Sequence, residues 1–152
     1  MSRKKIIWLI ILLVVAGGAW YGYREFTRTN KDLSKIKADV RITAIRLIHE
    51  YESNDSLANI KYLGKIIETD GNIKNIEKDQ AGYYTVILGP EGTMSSVRCL
   101  MDTTHNDDAA TLNAGSSVMV RGACTGFKKN ELLGENLGSD VELNRSVIVS
   151  KK

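Results

Sequence analysis

The feature that most constrains this chain is the run Lys61–Ile76 (KYLGKIIETDGNIKNI), which is rich in strand-forming residues yet carries Gly71 in its interior. Strands usually stop after about 5–6 residues, and a glycine inside one weakens it. A long strand with a central glycine suits a small closed barrel, where one strand must curve enough to pair on both sides of the closure. Gly71, with Ile67 and Ile73 beside it, is the expected bend. The change of parity from Ile73 to Ile76 places a bulge nearby.

The rest of the chain supplies partners in a definite order. Glu77–Gly82 reads as a turn and Tyr83–Leu88 as an alternating strand. Gly89-Pro90-Glu91-Gly92 turns the chain into a third strand, Met94–Met101. Asn106–Leu112 reads as a capped helical turn with acids in its first turn. Ser117–Thr125 is the fourth strand, Phe127–Ser139 a glycine-containing loop, and Asp140–Val149 the fifth strand. Upstream, the stripe Val40, Ile42, Ile45, Leu47, Ile48 and Tyr51 predicts a helix. Asp55 or Ser56 caps a second short helix, Leu57–Tyr62. The order β-β-β-α-β-β with a long first strand is that of an OB-fold. The expected fold is therefore mainly β: a five-stranded Greek-key OB barrel, two short N-terminal helices, and a short helix between strands 3 and 4.

Ahead of the barrel, Ile6–Tyr23 runs without a charge and follows the basic flank Met1–Lys5. As a helix it spans roughly 27 Å, close to the hydrocarbon thickness of a bilayer. Trp8, Trp20, Tyr21 and Tyr23 sit near its ends, where amphipathic rings favour the interface. The expectation is an uncleaved transmembrane signal anchor, with a cleaved signal peptide ending near Ala16–Ala19 as the alternative. The denser cluster Arg3-Lys4-Lys5 places the N-terminus in the cytoplasm and the barrel outside it, against the competing Arg24, Arg28 and Lys31. The expected organisation is a basic flank at 1–5, the membrane helix at 6–23, a tether at 24–37, a helical lead-in at 38–62 and the barrel at 63–150. The formal charge of +3 belongs to the membrane flank, and residues 30–152 are close to neutral. A protein that tracks phosphates needs a basic groove, which this balance does not advertise.

Few residues invite chemistry. Cys99 and Cys124 are the only thiols. An even pair in an oxidising compartment allows a disulfide, while their alternation with Val97, Met101, Val118 and Val120 equally suits two buried free thiols. Asp102, His105, Asp107 and Asp108 have metal-ligand side chains, but their spacing reads as a loop and helix cap, so neither metal nor cofactor is expected. His49 reads as a partly exposed helix residue. No triad, paired-carboxylate or phosphate-loop pattern appears, and no enzymatic activity is expected. The usual ligand face of such a barrel uses strands 2 and 3 and the loops joining strands 1–2 and 4–5. On that face lie Tyr83, Arg98, Phe127, Lys128 and Lys129, the candidate contact residues.

Several positions also resemble a known family. Leu47, Tyr51, Asn54, Ala58, Lys61-Tyr62, Gly64-Lys65, Gly71 and Ile73 are similar to the tRNA-anti-like OB-fold family. So are Val97-x-Cys99, Val118-x-Val120-x-Gly122-x-Cys124-Thr125-Gly126 and Asp140-Val141-x-Leu143-Asn144. The resemblance covers residues 38–149 and implies a bacterial OB barrel that often follows a membrane helix or lipoprotein signal. The family name records a likeness to anticodon-binding domains and does not itself imply tRNA binding. This chain departs from the pattern at Thr69, where an apolar residue is usual, at Ser146, often cysteine, and in the longer 127–139 loop. The expected function is that of a membrane-anchored, extracytoplasmic (periplasmic) binding module for a protein or envelope glycan. The alternative is a cytoplasm-facing domain that binds single-stranded nucleic acid, which is not the expected partner.

Overall fold

The computed structural model describes residues 13–14, 17–23, 32–132 and 135–151, with the side chains of 131, 132 and 135–137 excepted. The chain divides into two compact units, Met1–Lys31 and Asp32–Lys152. In the first unit, residues 13–14 and 17–23 are helical. Among the described residues no helix is long and apolar enough to cross a membrane. Half of the expected span Ile6–Tyr23 lies outside those residues.

The second unit is mainly β, with strands β1 (Val40–Thr43), β2 (Ile66–Lys78), β3 (Tyr84–Leu88), β4 (Ser96–Met101), β5 (Ser117–Leu132) and β6 (Glu135–Lys151). Their order is β1-β2-β3-β4-β6-β5, and a further β2–β5 pairing closes β2 through β6 into a ring. The closed ring has the expected five strands in an OB-like order, with β4 and β6 parallel. The sheet nevertheless has six strands, because β1 is added outside the ring.

β2 carries the closure as its length suggests. Its first half pairs with β5 from Ile66↔Ala123 to Asn72↔Ser117, and its second half with β3 from Ile73↔Leu88 to Lys78↔Tyr84. The handover falls between Asn72 and Ile73, just after Gly71, and the register shifts between Ile73 and Asn75. Gly71 is required by close approach: a Cβ there would lie 2.9 Å from the Cβ of Ala44 and 3.6 Å from that of Leu88. Ile67, Ile73, Val86, Leu88, Val97, Val120, Val141 and Leu143 fill the interior. Thr69 shares it, and its buried Oγ1 has no hydrogen-bond partner.

Two helices pack against the barrel core. Helix α1 (Ala44–Ser53) buries Ala44, Leu47, Ile48 and Tyr51, and helix α2 (Asp55–Tyr62) buries Ala58 and Tyr62. The expected helix start at Val40 is corrected, since Val40–Thr43 form β1 and pair in parallel with Ile67–Asp70. The apolar alternation of Val40 and Ile42 satisfies a strand as well as a helix, and Thr43 sets the boundary by capping α1 through Arg46 N. Asn54, not Asp55 or Ser56, caps α2, accepting from Leu57 N at 3.0 Å. The turn between β4 and β5 is a 3-10 helix, Asn106–Thr111, which buries Ala109.

Two other expectations change. Residues 127–132 and 135–139 are strand rather than loop, because β5 and β6 stay paired as far as Leu132↔Glu135. The tether also ends sooner than residue 37. A 3-10 turn at Leu33–Lys35 buries Leu33, and its carbonyls are gripped by Arg121. Arg121 Nη1 donates to the carbonyls of Leu33 (3.1 Å), Ser34 (3.1 Å) and Ile36 (2.7 Å), while Nη2 meets Glu68 Oε2 at 2.6 Å. Glu68 is only 4% exposed and also accepts Arg41 at 2.9 Å. The guanidinium fork suits this carboxylate and carbonyl arrangement in a way a lysine does not.

Candidate ligand-binding face

The outer face of β3 and β4 is the one on which the sequence predicts a ligand. Arg98 stands on it, but its Nη2 is 2.6 Å from Glu77 Oε2, and Glu142 is its register partner on β6. Tyr83 is exposed just before β3, its backbone N–H held by Asp79 Oδ1 at 2.8 Å. Leu100 is exposed on β4, and Ile87 is buried on β3. The nearby lysines are engaged as well. Lys74 Nζ donates to the carbonyls of Thr93 (2.7 Å) and Ser95 (3.0 Å), and Lys78 Nζ lies 4.8 Å from the Tyr84 ring centroid.

The hairpin residues divide in two. Phe127 does not face a ligand: its ring stacks on Tyr51 with centroids 4.9 Å apart and an interplanar angle of 16°. It is packed against the core because β5 continues through it and turns alternate side chains inward. Lys129 pairs with Asp55 at 3.1 Å, whereas Lys128 is exposed. Tyr83, Arg98 and Lys128 therefore remain on the surface, Lys129 is tied to α2, and Phe127 leaves the set.

Cys99 and Cys124 are both buried free thiols. Each is in register with Leu143, from opposite sides of β6. Two strand spacings separate their backbones by roughly 10 Å, beyond the reach of a disulfide, about 7 Å between Cα atoms. The disulfide allowed by the sequence is thus not formed. Burial pushes the Cys99 thiol up to about 12. Burial also raises Cys124, whose sulfur lies 3.3 Å from the Tyr51 hydroxyl, and burial raises that phenol in turn. His105 bridges Asp32 and Asp108, each at 3.2 Å, and Asp102 accepts from Thr104 and faces Arg145 at 3.7 Å. Among the described residues no group of three or more His, Cys, Asp or Glu side chains is arranged to hold a metal.

A second concavity has no counterpart among the expectations from sequence. A groove of about 440 Å³ lies beside β1, lined in part by Arg41, Arg46, Lys61, Glu50, Glu68 and Asp70. Glu50 accepts from Lys61 and from the Tyr62 hydroxyl, each at 2.6 Å, and lies 3.2 Å from Arg46 Nε. The Lys61 bond, followed by the Tyr62 bond, holds its carboxyl down at about 2. The groove is illegible in sequence because it depends on β1, whose four residues merge into the helical stripe that follows.

A closed five-strand ring with helices packed against its core, a polar outer face and no chemical constellation among its described residues defines a small β-barrel of OB-like architecture. The family match agrees with that class. The chain belongs to the tRNA_anti-like family, whose profile matches residues 1–136. No curated protein matches it. Among solved structures it is similar to a Klebsiella pneumoniae lipoprotein named as a candidate nucleic-acid binder. That match has a TM-score of 0.53 and 19% identity, and covers 72% of this chain and 92% of that one. An asparaginyl-tRNA synthetase from Entamoeba histolytica matches at TM-score 0.41 and 15% identity, over 59% of this chain and 21% of the synthetase. A Leishmania major protein named as a candidate aspartyl-tRNA synthetase matches at TM-score 0.44 and 11% identity, over 83% of this chain and 22% of that one.

Proposed function

We propose that this chain is a membrane-anchored, extracytoplasmic binding module that recognises a protein or envelope ligand and carries out no catalysis. The observation that carries this reading is the state of the cations around the β3–β4 face. Arg98 is bound to Glu77, Lys74 to two carbonyls, and Lys78 lies over Tyr84, so a phosphate chain would have to break existing contacts to bind there. Single-strand binding on such a barrel rests on a basic track and exposed stacking rings, and Phe127 is turned inward. The groove beside β1 has three cations and three acids among its lining, a balance that favours a polypeptide over a polyanion. The uncharged run Ile6–Tyr23 supplies the anchor.

A second reading, a nucleic-acid-binding domain facing the cytoplasm, draws support from the name of the Klebsiella protein and from exposed Lys128. Two measurements separate them. An alkaline phosphatase fused after Lys152 is expected to be active in intact cells, and activity of a fluorescent-protein fusion alone would reverse the orientation. Fluorescent oligo-uridine and oligo-deoxythymidine are expected not to bind the full chain at low salt. Binding with a steep salt slope would replace the proposal by the second reading.

A further inference from the structure

Among the described residues, nothing covers the apolar outer face of helix α2. Leu57 is 64% exposed, Ile60 79% and Leu63 51%. At about 100° per residue, Ile60 lies about 180° from the centre of the buried Ala58–Tyr62 face, and Leu57 and Leu63 flank it by about 60° on either side. The stripe therefore occupies the solvent side of a helix whose other side is fixed in the fold.

Its surroundings specify the occupant. The neighbouring acids are already matched, Glu50 with Lys61 at 2.6 Å and Asp55 with Lys129 at 3.1 Å. Lys65, directly after the helix, is exposed and has no ion pair among the described residues. An apolar face with its neighbouring acids matched and a free lysine at its end suits an element that lies in the headgroup region of an anionic bilayer. Chain length adds a restraint. Eight residues, 24–31, separate the end of the apolar run from Asp32, where the second unit begins. Fully extended they reach no more than about 29 Å. A unit of this size has a radius of gyration of about 14 Å, so the tether is no longer than the domain is wide.

We propose that the Leu57–Ile60–Leu63 stripe rests on the bilayer to which the chain is anchored, with Lys65 on anionic headgroups. This inference depends on the membrane anchor proposed above. The stripe makes α2 an interfacial helix.

The test uses the full chain reconstituted in phosphatidylcholine–phosphatidylglycerol bilayers. An environment-sensitive fluorophore is attached at Ile60→Cys, or at Asn113→Cys as the control on an exposed turn, both native thiols being buried. Emission at position 60 is expected to shift to the blue, with quenching by headgroup-region spin-labelled lipid several-fold stronger than at position 113. Leu57→Lys with Leu63→Lys is expected to abolish the difference while leaving the circular dichroism unchanged. An alkaline carbonate wash separates the two levels of the claim. Protein that stays with the bilayer while position 60 remains as wet as position 113 overturns the stripe and spares the anchor. Protein that washes off overturns both. A probe that is dry only in native membranes, and wet in lipid alone, assigns the stripe to a partner protein and overturns the proposal.

Discussion

Thr69 illustrates a departure from family pattern with a measurable consequence. Its hydroxyl is buried among apolar neighbours with no partner for Oγ1. An unsatisfied buried hydroxyl costs about 1–3 kcal/mol, and valine has nearly the same shape. Thr69→Val should therefore raise stability by about 1 kcal/mol, read as a higher midpoint in urea with an unchanged slope. Ser146, the second departure, donates to Leu143 O and lies close enough to Cys99 to oppose the rise of its thiol. Ser146→Cys would put a second sulfur beside Cys99. The variant is expected to form a disulfide between Cys99 and the introduced thiol on oxidation, detected as the loss of two thiols by mass spectrometry; persistence of both as free thiols would refute the contact. Glu50 gives the pH dependence. Its carboxyl is held at about 2, below its unfolded value near 4.5, so its stabilisation is present above about 4.5 and is lost as pH falls toward 2. Glu50→Gln should flatten the profile of urea midpoint against pH in that window and leave its shape unchanged near neutrality.

Among the elements, β2 is the most legible in sequence and β1 the least. A long strand broken by Gly71 has few uses besides barrel closure, so ring order follows from one run of sequence. Gly71→Ala should cost about 1–3 kcal/mol through overpacking against Ala44. In an Ala44→Gly background the same change should cost less, and an additive double-mutant cycle would show that the two positions do not touch. β1 is hidden because Val40 and Ile42 fit the phase of the helix that follows. The hairpin is hidden because its glycines and polar residues resemble a loop, although its strands stay paired as far as Leu132↔Glu135. The candidate face is legible in position but not in state. The Arg98–Glu77 pair joins residues 21 apart in sequence, and no local pattern announces it. Phe127 is misplaced by sequence for the same reason as the hairpin, since a strand's alternation turns its ring inward.

For the whole molecule, Arg121 joins the Leu33–Ile36 segment to the barrel. Its loss would leave the buried Glu68 with Arg41 alone and release three carbonyls. Arg121→Ala should destabilise the domain by about 3 kcal/mol and accelerate amide exchange in the segment around Leu33–Ile36. Arg121→Lys should restore only part of either effect, because an ammonium cannot span carboxylate and carbonyls together. The closing seam between β2 and β5 also sets an order in time. Ile66–Asn72 must wait for Ser117–Ala123, which the ribosome makes some fifty residues later. Until then β1 can shield one edge of β2, while the other is bare and open to pairing with a neighbouring nascent chain. The most hazardous moment in this protein's life is therefore the interval between finishing β2 and finishing β5, and a slow stretch of translation there would lengthen it.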